Sequence, residues 1–121
     1  LFARDVDGLA DFYASALGLE ETVNDAPRYR ELAGGGANIG FAFSGAYELL
    51  ALDAESEPTG LRSVATFVLP HGASMDAAVA RAVEHGASVA KPPYDTHFGQ
   101  RMAVLRDPEG NAFRLNGELP G

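Results

Sequence analysis

Asp107-Pro108-Glu109-Gly110-Asn111, followed by Ala112-Phe113-Arg114-Leu115-Asn116, is the stretch that decides the fold of this 121-residue chain. A Pro-containing, Gly-closed turn between two apolar runs reads as a tight β-hairpin. Beyond the turn the residues alternate, with Phe113 and Leu115 on one face and Ala112, Arg114 and Asn116 on the other. A strand that buries Phe113 and Leu115 against a helix must turn Arg114 toward the opposite side of its sheet.

Upstream, two helices are legible. Asp5 is the N-cap of the first, after which Leu9, Phe12, Tyr13, Ala16 and Leu17 follow helical spacing, and Gly18 closes it. Ser74 caps the second, followed by Met75, Ala78, Val79, Ala82 and Val83, and His85-Gly86 ends it with the imidazole near the negative end of the helix dipole. Short extended runs follow each helix. After the first come Glu20 to Asn24, Pro27 to Ala33 and Asn38 to Ser44, the last two joined by a glycine turn, Gly34 to Gly36. After the second come Ser88 to Tyr94, Gln100 to Arg106 and Ala112 to Asn116. Leu1 to Arg4 and Ser63 to Leu69 supply a strand before each helix. The chain reads strand-helix-strand-strand-strand, twice, which is an internal duplication.

One domain over residues 1–121 is expected, with module one at 1–44, a linker at 45–62 and module two at 63–117. Within the linker, Ala46 to Leu52 has the composition of a short helix, and Asp53 to Gly60 that of a loop. Hydrophobic content of 46% with 21% charged residues is that of a globular domain. No apolar run approaches the length of a membrane span, and a cytoplasmic home is the default. The chain has no cysteine, which removes disulfides, thiol nucleophiles and thiolate metal sites. A formal charge of -8 opposes binding to nucleic acid and to anionic membranes. It would suit a cationic ligand, although a solubilising surface is the simpler reading.

The terminal turn and strand resemble the C-terminal signature of the vicinal oxygen chelate superfamily, which includes glyoxalase I, bleomycin-resistance proteins and extradiol dioxygenases. Three further stretches are similar to that superfamily. They are Arg4-Asp5-Val6 leading into Asp11-Phe12-Tyr13 and Leu17-Gly18-Leu19, then Ala82 to Ala87, and Phe98-Gly99-Gln100-Arg101. The resemblance covers nearly the whole chain and is closest in type to glyoxalase-like bleomycin-resistance members. It implies an α+β fold in which two βαβββ modules form a curved eight-stranded mixed sheet, a cup, with helices on the outer face and the ligand or metal inside.

The resemblance also allows the metal positions to be followed residue by residue. One ligand, often His, falls just before Leu1, outside this sequence. A second, often His, corresponds to Val64. A third, a Glu in the last strand, corresponds to Arg114, and an acidic residue used in the fourth strand of glyoxalases corresponds to Gly40. The duplication checks the placement, because Gly40 follows Gly36 by four residues as Arg114 follows Gly110. A catalytic divalent metal needs about three protein ligands with open positions for substrate. Valine and glycine side chains offer no lone pair and a guanidinium carries donors only. No metal and no cofactor is therefore expected.

Arg114 is a candidate contact for an anionic or carbonyl group; an internal ion pair with an acid such as Glu31 explains it equally well. Val64, Thr66, Gly40 and Ala42 read as the wall of a ligand site, and Arg101 as a second anion contact or an exposed salt bridge. His97, in the irregular stretch before the seventh strand, is a candidate general base, although a solvated loop histidine is the commoner case. Tyr29 and Glu31 share one face of their strand while Arg28, Arg30 and Leu32 share the other, and the sequence leaves open which face looks inward. Tyr29 and Glu31 are further candidate acid-base groups.

These residues support a metal-independent small-molecule binding protein of the glyoxalase/bleomycin-resistance type, sequestering a toxic compound in its sheet cup. The alternative is a lyase, isomerase or dioxygenase-like enzyme of the same superfamily with displaced metal ligands or acid-base catalysis. A scaffold with a filled cup is a third class. A homodimer is expected from the resemblance and from sheet edges that gain from coverage.

Overall fold

The duplication carries through to the chain path. The computed structural model describes residues 1–34, 37–43 and 63–120, and it divides into two units, Leu1–Gly60 and Leu61–Gly121. The first contains β1 (Phe2–Ala3), α1 (Val6–Leu17), β2 (Glu20–Asp25), β3 (Tyr29–Gly34) and β4 (Ala37–Phe43). The second repeats the order with β5 (Ala65–Val68), α2 (Met75–Glu84), β6 (Ser88–Asp95), β7 (Gln100–Arg106) and β8 (Ala112–Glu118). The fold is α+β. Its eight strands are hydrogen-bonded as two four-stranded mixed sheets, ordered β1-β4-β3-β2 and β5-β8-β7-β6. The reason lies in the last strand of each module, which returns to pair parallel with that module's own first strand. No helix among the described residues is long and apolar enough to cross a membrane.

Both helix starts follow from capping chemistry. The Asp5 carboxylate accepts a hydrogen bond from the Gly8 amide at 2.9 Å, and the Ser74 hydroxyl accepts one from the Ala77 amide at 3.2 Å. Each satisfies an amide that the first helical turn leaves without a partner. Gly18 ends α1 with φ of 69°, a left-handed conformation that a side chain would resist.

α1 buries Val6, Leu9, Ala10, Phe12, Tyr13 and Ala16. Tyr13 stacks at 5.4 Å on Phe41 of β4, and Phe12 meets Tyr13 edge-on at 5.0 Å. Leu32 of β3 and Phe41 are fully enclosed. Three apolar positions behave differently from their spacing. Leu17 and Ala78 are half-buried, and Val83 is 46% exposed. The ten-residue α2 buries only the narrow stripe Met75, Val79 and Ala82 against its sheet. Val83 lies about 100° around the helix from Ala82 and falls off that stripe.

The helix face of β3 carries Arg30 and Leu32, which decides the orientation that alternation leaves open. Arg30 is a buried cation, at 7% exposure, and it ties three elements together. Its Nη1 lies 2.7 Å from Asp11 and 3.2 Å from Asp7, both on α1, and its Nη2 lies 2.7 Å from Glu21 on β2. Burial works against the charge, but hydrogen bonds to Glu21 and Asp11 outweigh it and raise the pKa above its already high ordinary value.

In the second unit the hairpin turn is organised by Asp107. Its buried carboxylate accepts from the Glu109 amide at 2.9 Å, the Asn111 amide at 3.0 Å and the Asn111 side chain. Gly110 closes the turn at φ of 86°. The register then sets Phe113 beside Ala65 and Leu105, and Leu115 beside Phe67 and Ala103. Phe113 and Leu115 are fully buried, and Phe67 meets Phe113 edge-on. A Cβ on Gly117, two residues further along, would touch Met75 of α2 at 3.4 Å, which fixes this as the helix face. The expected Gly34–Gly36 turn falls partly outside the described residues, since only Gly34, the last residue of β3, is among them. The helix expected at Ala46 to Leu52 and the rest of the linker lie wholly outside them.

Phe12→Ala is expected to destabilise the protein by about 3–5 kcal/mol, because it empties a filled site under the first sheet. Val79→Ala should cost less, since fewer buried atoms are lost. An unchanged denaturation midpoint for Phe12→Ala would show that this packing contributes nothing. Arg30→Met should destabilise by about 1–3 kcal/mol, the loss of charge-assisted hydrogen bonds made to partly exposed acids. It leaves three carboxylates facing one another, so the deficit should shrink as salt screens their repulsion. A deficit that grows with salt would contradict this account of the cluster.

Candidate functional site

Each sheet has a second face, turned away from its helix, and the polar side chains singled out by alternation gather there. On the first sheet this face carries Tyr29 and Glu31 of β3 opposite Ala42 and Gly40 of β4. The Glu31 carboxylate collects three neutral donors. The Tyr29 hydroxyl donates to Oε1 at 2.8 Å, and the Asn38 amide donates to Oε2 at 3.0 Å. The Thr22 hydroxyl lies 3.1 Å from Oε2. Hydrogen bonding to Glu31, with some burial and the carboxylate charge, raises the Tyr29 pKa. Tyr29 therefore stays a neutral phenol at physiological pH, its proton committed to Glu31.

The Tyr29 ring lies across Gly40. A Cβ built on Gly40 would overlap the Tyr29 hydroxyl and come within 2.9 Å of two ring carbons. Glycine is what lets the ring lie there. Ala42 sits one alternation further along β4, beside Tyr29 and Phe2.

On the second sheet, Arg114 projects to the face away from α2. Its Nε donates to the Thr66 hydroxyl at 3.1 Å, across the parallel β5–β8 pair. Among the described residues of this unit no carboxylate pairs with its guanidinium. Asn116, next on the same face, donates to the Gln100 side chain at 2.7 Å. Val64 precedes β5 and is 50% exposed. Antiparallel pairing with β7 and β6 brings Val104 and Met102, then Lys91 and Tyr94, into the same two rows. The Lys91 ammonium lies 3.9 Å over the Tyr94 ring.

Two of the expected residues lie elsewhere. Arg101 pairs with Gly117 and so occupies the helix face, away from Arg114. It bonds Asp95 at 2.7 Å and Asp76, in the first turn of α2, at 3.3 Å. Those contacts, the Asp95 hydrogen bond first, raise its pKa and hold the hairpin end to the helix. His97 is exposed in the β6–β7 connection, its ring edge-on to Phe98 at 5.2 Å. No described side chain hydrogen-bonds its imidazole, so nothing orients it as a base.

Asn38 lies two residues before Gly40, on the face that alternation selects, whereas Thr22, Lys91 and Tyr94 carry no pattern that alternation alone would select. Thr22 sits at an irregularity between Glu21 and Val23, and Lys91 lies between two register shifts of β6. A bulge moves a side chain to the other face, and period-two counting cannot see it. The Pro92-Pro93 pair between Lys91 and Tyr94 is the one signal of such an interruption.

The residues present do not fit a divalent metal. Val64 has no donor atom, the space beside Gly40 is filled by Tyr29, and Arg114 is a cation. Among the described residues no group of three or more His, Asp or Glu is arranged to hold one. The Glu31 carboxylate already accepts three hydrogen bonds.

Residues 1–116 match the family model described as a glyoxalase-like domain. A glyoxalase/bleomycin resistance protein/dioxygenase family enzyme from Burkholderia phytofirmans PsJN is 36% identical, with 98% of this chain and 94% of that one covered and a TM-score of 0.91. Two more distant structures share the fold. A glyoxalase-related enzyme from Fulvimarina pelagi has 16% identity and a TM-score of 0.78 over 98% of this chain and 84% of that one. A glyoxalase/bleomycin resistance protein/dioxygenase from Nocardioides has 22% identity and a TM-score of 0.75 over 100% and 81%. No curated protein matches the chain. By its family match, its duplicated modules and its 36% identity to the Burkholderia protein, the chain belongs to the glyoxalase-like family.

Proposed function

We propose that this chain is a metal-independent small-molecule binding protein of the glyoxalase/bleomycin-resistance type. The observation that carries the reading is Arg114. Where the resembled superfamily has a metal-binding Glu, this chain has a guanidinium on the face away from α2, and among the described residues its hydrogen-bond partner is the Thr66 hydroxyl alone. A half-buried cation with free donors gains from a ligand acceptor, and a guanidinium holds an oxygen without any metal. Thr66 and Val104, paired with it in register, supply one hydroxyl and an apolar surface for the ligand's body. Binding alone suffices for sequestration of a toxic compound.

A second reading, a lyase, isomerase or oxygenase-like enzyme, is favoured by one finding, the description of the Burkholderia relative as a family enzyme. Its acid-base groups would be Tyr29 and Glu31. The geometry supports it less, since each of these groups is occupied by the other and the Tyr29 proton is held more tightly than usual.

Native mass spectrometry of freshly purified protein, with elemental analysis after incubation with iron, zinc, nickel and manganese, separates the two. A retained organic molecule that survives chelation, without stoichiometric metal, is the expected result. Stoichiometric metal that leaves on chelation together with binding or activity would overturn the proposal.

A symmetric homodimer is part of the same reading. Its support is β5, an edge strand whose Val68 is 75% exposed beside the half-exposed Val64. Sedimentation at micromolar concentration should give a dimer mass, and a monomer at every accessible concentration rules the dimer out.

A further inference from the structure

The charge of -8 belongs to the first half of the chain. Residues 1–60 hold eleven of the seventeen acidic and three of the nine basic side chains, while residues 61–121 hold six of each. Within that neutral second unit the charges are sorted by face. On the helix side Arg101 is neutralised by Asp95 and Asp76. On the other face the register aligns Thr66, Arg114, Val104 and Lys91 in one row across all four strands, and Val68, Asn116, Met102 and Tyr94 in the next. Neither row contains a carboxylate. Glu118, at the far end of β8, is engaged by His71 at 2.6 Å.

Arg114 and Lys91 stand two strands apart, roughly 10 Å between backbones at the usual strand spacing, with Val104 between them. The Tyr94 ring holds the Lys91 ammonium without neutralising it. Val104 is thus a short apolar floor between two cations, with the Thr66 hydroxyl beyond Arg114.

We propose that this face binds an amphipathic anion, a small molecule with a flat apolar body and one carboxylate, sulfonate or phosphate group held by Arg114 and Lys91. The proposal rests on the small-molecule-binding reading and adds the charge class of the ligand, which is opposite to the class that the net charge of the chain suggests.

Two dyes with the same ring systems test it on the full chain by fluorescence titration. They are 8-anilinonaphthalene-1-sulfonate, an anion, and N-phenyl-1-naphthylamine, which is uncharged. The anion should bind about tenfold or more tighter than the neutral dye, the worth of one charge-assisted hydrogen bond. Arg114→Met should weaken the anion about tenfold or more and Lys91→Met by a smaller factor. Arg114→Lys should restore much of the loss, and the neutral dye should respond to none of these changes. Thermal melts confirm that each variant unfolds cooperatively, so that dye uptake by a loosened fold is not read as binding. If Arg114→Met does not fold, Lys91→Met and Arg114→Lys carry the comparison.

Equal binding of both dyes, unaltered by any substitution, overturns the charge assignment and leaves the binding reading standing. Failure of both dyes to bind the unmodified chain, together with purified protein that carries no organic molecule, overturns both.

Discussion

Burial of Phe113 and Leu115 beneath α2 is the constraint from which the second unit follows. A strand has two faces, so enclosing these side chains commits Arg114 and Asn116 to the side without a helix. The turn before them is held by one carboxylate, Asp107, and closed by a glycine at positive φ, and a slip of one residue there would exchange the two sets. The position of the cation is therefore a product of core packing. No interaction made by Arg114 itself is needed to aim it.

The first unit applies the same geometry with other side chains. In the lattice of each sheet Gly40 corresponds to Arg114, Glu31 to Val104 and Tyr29 to Met102. One module has its charge on the third strand and nothing on the fourth; the other has an apolar third strand and a cation on the fourth. Two copies of one backbone plan have become an acceptor-rich surface and a donor-rich surface. The hydrogen bonds differ accordingly. Among the described residues the Glu31 carboxylate has three neighbours within hydrogen-bond distance, whereas Arg114 has one.

Much of the fold was legible because the signals are local. Asp5, Gly18 and Ser74 mark helix ends through their own backbone chemistry, and β7 begins and ends where alternation sets it. The orientation of Arg114 was legible for the same reason. The faces of β3 were not, because Leu32 and Tyr29 are both able to pack, and only the position of α1 over Arg30 decides between them. Lys91 and Thr22 were hidden by irregular pairing. Arg101 reads the same from sequence whether it meets a ligand or a carboxylate, and Asp76 reaches it from 25 residues earlier in the chain.

The Tyr29 ring resting on Gly40 also bears on how such a protein can change. A carboxylate introduced at position 40 would meet the Tyr29 hydroxyl and ring edge first. The ring must swing aside to admit it, and that movement breaks the Tyr29 hydrogen bond to Glu31. A single glycine, contributing no side chain of its own, thus keeps the acid and its phenol donor together.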